Sequence, residues 1–141
     1  MNEQVLWIWL SLACTPGTEN FSKLISEFET VDAIYALDES ELKRVIGSKS
    51  CDFSALLDKD TKKAEEIFKY CAEKNIGILK YSDKEYPESL RSISNPPVLL
   101  YYRGVLPDFE SLFCISVVGT RRLSEYGLKN AFTISRDLAS A

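Results

Sequence analysis

The stretch Cys114-Ile115-Ser116-Val117-Val118-Gly119-Thr120-Arg121-Arg122-Leu123-Ser124-Glu125-Tyr126-Gly127 decides how this chain is read. A short apolar, β-branched run ends at Gly119, a polar turn follows, and helical spacing resumes at Leu128, Ala131, Phe132, Ser135 and Leu138-Ala139. Strand, glycine turn and helix in that order predict the opening of a doubly wound α/β unit, its helix N-terminus aimed at the carboxyl end of the strand. Backbone N–H groups and the helix dipole converge there and favour an anion. Arg121 adds a fixed planar charge suited to a phosphate. On their own, the same residues also describe an ordinary βα turn with an exposed arginine.

Working back toward the N-terminus, two more strands are expected. Gly77-Ile78-Leu79-Lys80-Tyr81 is one, and Val98-Leu99-Leu100-Tyr101-Tyr102 is the other. The second is apolar throughout, which predicts burial on both faces and places Tyr101 in the core. Between them Tyr86-Pro87-Glu88-Ser89-Leu90 opens a short helix with proline in its first turn, and Asn95-Pro96-Pro97 cannot continue one. Tyr86-Pro87 and Pro96-Pro97 read as structural, orienting the chain into and out of the second strand.

The first sixty residues carry helical patterns only. Gln4 to Ala13 predicts a mostly buried helix with Leu6, Trp9, Leu10 and Ala13 on one stripe; Trp7 and Trp9 serve packing or a partner surface. Thr15-Pro16-Gly17 ends it. Thr18 is the expected N-cap of the next helix, where Phe21, Leu24, Ile25 and Phe28 follow i, i+3, i+4, i+7. Thr30 caps a third helix through Ala36. Asp38-Glu39-Ser40-Glu41 has the form of a capping box, with Gly47 as the stop. A small helix over Asp52–Leu57 completes this module, and a longer one from Asp60 or Thr61 to about Lys74 bridges to the strands, with Glu65 facing Lys69. Helix, Pro-Gly turn, helix also brings to mind a helix-hairpin-helix, in which turn amides hold a DNA phosphate. Phosphate binding and plain packing both stay open for Ala13–Thr18, which holds one glycine and no lysine.

At 141 residues and 45% hydrophobic, the chain has room for one compact domain or two small ones. A net charge of −4 argues against a surface coated in basic residues for duplex DNA, but it allows a local basic groove. Cys14, Cys51, Cys71 and Cys114 are dispersed and no histidine is present, so no zinc site is expected; the thiols read as buried in a reducing cytosol. Val5 to Cys14 follows an acid, lacks a basic leader, and is too short to span a bilayer, which makes cytoplasmic the expected location. Without histidine a Ser/His or Cys/His nucleophile is excluded, and the carboxylates show no paired arrangement for general acid–base work. The chain is not expected to be an enzyme, to bind a metal or to need a cofactor.

Taken together, Tyr86-Pro87-x-x-Leu90-x-x-Ile93-x-x-Pro96-Pro97-x-Leu99-x-Tyr101-x-x-Gly104 followed by Val117-Val118-Gly119-Thr120-Arg121-x-x-Ser124-x-Tyr126-Gly127 resembles the DNA-processing protein A (DprA/Smf) family, most closely over Ile76 to Ala139. The resemblance implies an α/β protein with an N-terminal all-α module: a SAM-like or helix-hairpin-helix-like domain (1–58), a connecting helix (59–75), and the start of an extended Rossmann-like domain (76–141) whose sheet is incomplete. It implies single-stranded DNA and the RecA recombinase as partners in natural transformation, and a homodimer in the complete protein. Gly119, Thr120 and Arg121 would lie in the DNA pocket, with Ser124 at the helix N-terminus. Gly119 would let backbone approach a phosphate, and Thr120 and Ser124 would supply hydroxyls. Tyr126 is placed to stack on a base, and Arg122 is placed either there or toward water. The family's later Ser-Gly-x-Ala-x-Gly-Ile-Asp-like segment has no counterpart here, so the chain reads as an N-terminal fragment or truncated product. The alternatives are a Rossmann-like nucleotide or sugar-phosphate hydrolase using the same turn, and a helical module that only binds a partner.

Overall fold

The computed structural model describes residues 2–113 and 115–140. The protein is mixed α/β, mostly helical, with one small antiparallel sheet. Two compact units divide it, residues 1–110 and 111–141.

The first unit is built around α1 (Glu3–Ala13), in which Val5, Leu6, Trp7, Ile8, Trp9 and Leu10 are all buried. A helix that is apolar on every side has to be covered on every side. Around it stand α2 (Asn20–Phe28), α3 (Val31–Ala36), α4 (Glu39–Ile46), α5 (Phe53–Leu57) and α6 (Lys62–Glu73). Phe21, Leu24, Val31, Ile34, Leu42, Leu56 and Ala64 share its core. Local chemistry sets the helix ends. Thr30 accepts from the Ala33 amide, and Asp38 and Glu41 close a reciprocal capping box. Gly47 ends α4 at φ 79°, a conformation that costs glycine nothing. Thr18 does not cap α2 as expected. Glu19 holds that position without a side-chain bond, and the Thr18 hydroxyl is turned instead to donate toward Thr15 O and Asp52. On α6, Glu65 accepts from the Thr61 hydroxyl at 3.1 Å, and no Glu65–Lys69 ion pair forms among the described residues.

The sheet joins this helical core directly. Strands β1 (Gly77–Lys80) and β2 (Leu99–Tyr102) pair antiparallel with Gly77 opposite Tyr102 and Lys80 opposite Leu99. Val98 and Leu99 belong to the same core cluster as α1. The expectation that β2 is buried on both faces fails: Leu99 is buried, but Tyr101 is 47% exposed. Leu99 and Tyr101 share one face of the strand, and the cover that buries Leu99 leaves Tyr101 half-exposed, so the apolar run does not imply full burial here.

The connection between the strands is pinned by aromatic and cationic contacts. It contains α7 (Glu88–Arg91). The Arg91 guanidinium lies 4.8 Å from the Tyr81 ring centroid and 5.2 Å from that of Tyr86, and donates to the carbonyls of Tyr81 and Asp83. Tyr86 is buried and its hydroxyl donates to Pro97 O at 2.8 Å, so this tyrosine ties one end of the connection to the other. Its burial pushes its pKa up to about 12.

The second unit contains α8 (Glu125–Ala139). The strand expected at Ile115–Val118 is not formed. These residues carry no regular secondary structure, and the sheet has two strands among the described residues. A strand exists only through the ladder it shares with a neighbour, and none is paired with this run. Cys114, the first residue of the quoted stretch, lies outside the described residues. Among the described residues, no helix is long and apolar enough to cross a membrane. Cys14 and Cys71 are buried as expected, but Cys51 is exposed.

At Gly77 a Cβ would fall 2.1 Å from the Tyr102 ring, which lies across the glycine on the facing strand. Gly77→Ala is expected to push the ring off the sheet and to cost about 1 kcal/mol in a urea melt, the scale of one cross-strand pair. In a Tyr102→Ala background the same substitution should cost measurably less, because the ring it displaces is gone.

Candidate functional site

Two turns carry the sequence expectations of anion binding, and the structure treats them differently. The first is Thr15-Pro16-Gly17-Thr18, after α1. Its donors converge on an internal anion, the Asp52 carboxylate, which is 1% exposed. Thr15 N donates to it at 3.0 Å, Thr18 Oγ1 at 3.1 Å and Asn20 Nδ2 at 2.6 Å; the Thr15 hydroxyl and Cys51 Sγ donate as well. Burial alone would push the Asp52 carboxyl up. The hydrogen bonds from Asn20, Thr15 and Cys51 outweigh it and hold the carboxyl below its ordinary value. The same charge, added to burial, helps push the Cys14 thiol up to about 12. The turn is an anion nest whose occupant is the chain's own carboxylate. Sequence reasoning missed Asp52 because it stands where a cap of α5 would stand, yet it makes no side-chain cap bond there.

The second turn lies wholly in the unit 111–141. Val117, Val118, Gly119, Thr120, Leu123, Ser124, Gly127 and Ala131 line a depression of about 400 Å³. Ser124 caps α8, its Oγ accepting from Gly127 N at 3.1 Å, as the sequence places it. Thr120 Oγ1 donates to Arg122 O at 2.7 Å, which folds the turn onto itself and commits that proton internally. Gly119 does not have a positive φ, and a Cβ there would meet only Leu123 Cδ2 at 3.9 Å. Nothing within the unit requires glycine at 119. Arg121 and Arg122 are both exposed, and Tyr126 is 80% exposed in the first turn of α8.

Charge is distributed to match. Residues 111–141 carry Arg121, Arg122, Lys129 and Arg136 against Glu125 and Asp137, a net +2 in a chain whose total is −4. Arg136 is occupied by Asp137 through Nε and Nη2. The uncommitted positive charge therefore gathers at the N-terminal end of α8, where the helix dipole has the same sign. Among the described residues no cluster of three or more Cys, Asp or Glu side chains is arranged to hold a metal ion.

Residues 77–141 match the family described as DNA recombination-mediator protein A. A 42-residue stretch, 30% of this chain, is 48% identical to Protein Smf of Borreliella burgdorferi. Over this segment the chain is similar to the DprA/Smf proteins of DNA recombination and processing. The aligned stretch spans 13% of the length of that relative. No solved structure matches.

Two outcomes check this geometry. Asp52→Asn should cost about 1–3 kcal/mol, since it leaves converging donors without their carboxylate. Because the folded carboxyl lies below its unfolded value, its contribution is full above the unfolded value and is lost as pH falls through the folded one; urea melts across acid pH should show a larger loss in the parent than in the variant, which keeps the losses from Glu3 and Asp38. Ser124→Ala should cost α8 about 1 kcal/mol and speed amide exchange at Gly127, because that N–H loses its acceptor.

Proposed function

We propose that this chain carries part of the DNA-contacting surface of a single-stranded DNA-binding recombination mediator, one that delivers the strand to the RecA recombinase in natural transformation. The reading rests on one observation. The family segment presents a turn with an unrequired glycine, two exposed arginines and the capped N-terminus of a fifteen-residue helix, all within the part of the chain that is net positive. In this reading the chain joins a SAM-like or helix-hairpin-helix-like module (1–58), through a connecting helix (59–75), to the opening of an extended Rossmann-like domain (76–141). The complete protein works in the cytoplasm as a homodimer, and it binds rather than cuts the strand.

The mechanism follows from which groups remain available. Thr120 has committed its proton to Arg122 O, whereas Ser124 accepts from Gly127 N and keeps its own hydroxyl proton for a phosphate oxygen. Arg121 supplies charge and a planar donor fork for a phosphate, reinforced by the backbone N–H groups at the start of α8. Arg122 adds to the local field. Gly119 leaves space for the sugar–phosphate chain to pass close to the backbone, and Tyr126 offers an exposed ring on which a splayed base stacks. Stacking of that kind needs an unpaired base, which supports single strand over duplex.

The test is fluorescence anisotropy of a labelled poly-dT oligonucleotide titrated over a range of salt, in a chain that includes any further residues of the family domain. Arg121→Ala is expected to weaken binding and to make the slope of log K against log salt shallower by roughly 0.7, one phosphate contact on a single strand. Unchanged affinity and slope would remove Arg121 from the site. Displacement of the oligonucleotide by a mononucleotide, with turnover, would instead favour the hydrolase reading. Gly119→Ala should leave the urea midpoint of the protein nearly unchanged while weakening the same binding, because in the fold the added methyl makes only an ordinary contact with Leu123 Cδ2, whereas the approaching ligand would be obstructed.

A further inference from the structure

We draw no further inference here: the strongest candidate, the outer edge of β2, where the antiparallel register turns the backbone groups of Leu99 and Tyr101 away from β1 and Tyr101 is half-exposed, is an unpartnered apolar edge, and nothing in the structure shows what covers it.

Discussion

The burial of α1 is the constraint on which the first unit depends. Six consecutive residues from Val5 to Leu10 are buried, so over that stretch no side of the helix is left for water. Each buried side chain of this size removes roughly 1.5–3 kcal/mol worth of apolar surface from solvent, and together they outweigh the ordering of the short helices around them. Those helices have five to twelve residues and would be marginal alone. They persist because α3, α5 and α6 pack on α1, Phe21 of α2 meets Trp7, and α4 packs on α2 and α5. The polar atoms of α1 are handled at the same time: Trp7 Nε1 donates to Glu3, and Trp9 Nε1 donates to Asp58 O. Lys59 then lays its ammonium over the Trp9 and Tyr35 rings at 5.0 and 5.4 Å, while burial lowers its pKa.

The same physics explains the contrast between the two turns. Thr15–Thr18 lies at the surface, but its donors turn inward onto the buried Asp52 carboxylate, a charge that has to be satisfied by the same chain. The turn at Gly119–Ser124 borders open solvent, where water meets that requirement and a ligand can replace the water. One turn is closed by the fold and the other is left accessible. A resemblance in turn chemistry is therefore a weak guide to binding until the fold shows which groups are already used.

Residues 2–110 and 111–140 also differ in how they treat apolar side chains. The first set buries its large ones with few exceptions. In α8 none is buried, and Leu128, Phe132, Ile134 and Leu138 are all about half-exposed or more. The run Ile115–Val118 is exposed in the same way. Its β-branched composition fits a strand, but composition does not supply a ladder. Burial in the two units is thus uneven, and the family segment extends across both.

Several features were legible in the sequence because they depend on residues close in the chain. The capping box at Asp38–Glu41, the Thr30 and Ser124 caps, the Gly47 stop and the periodicity of α1, α2 and α6 are all decided within one or two turns of helix. The Gly119–Gly127 motif was legible too, as a pattern of residue types. Only the tertiary structure decided the rest. It turned the Thr18 hydroxyl from a cap to a partner of Asp52, thirty-four residues away in the chain. It left Tyr101 half in water because the cover over Leu99, on the same face of β2, only partly reaches it, and it withheld the strand at Ile115–Val118 because strand pairing is a relation between distant segments. Local propensity fixes helix ends through bonds a few residues apart, whereas the use of a hydroxyl, the burial of a tyrosine and the formation of a strand depend on neighbours that only folding brings together.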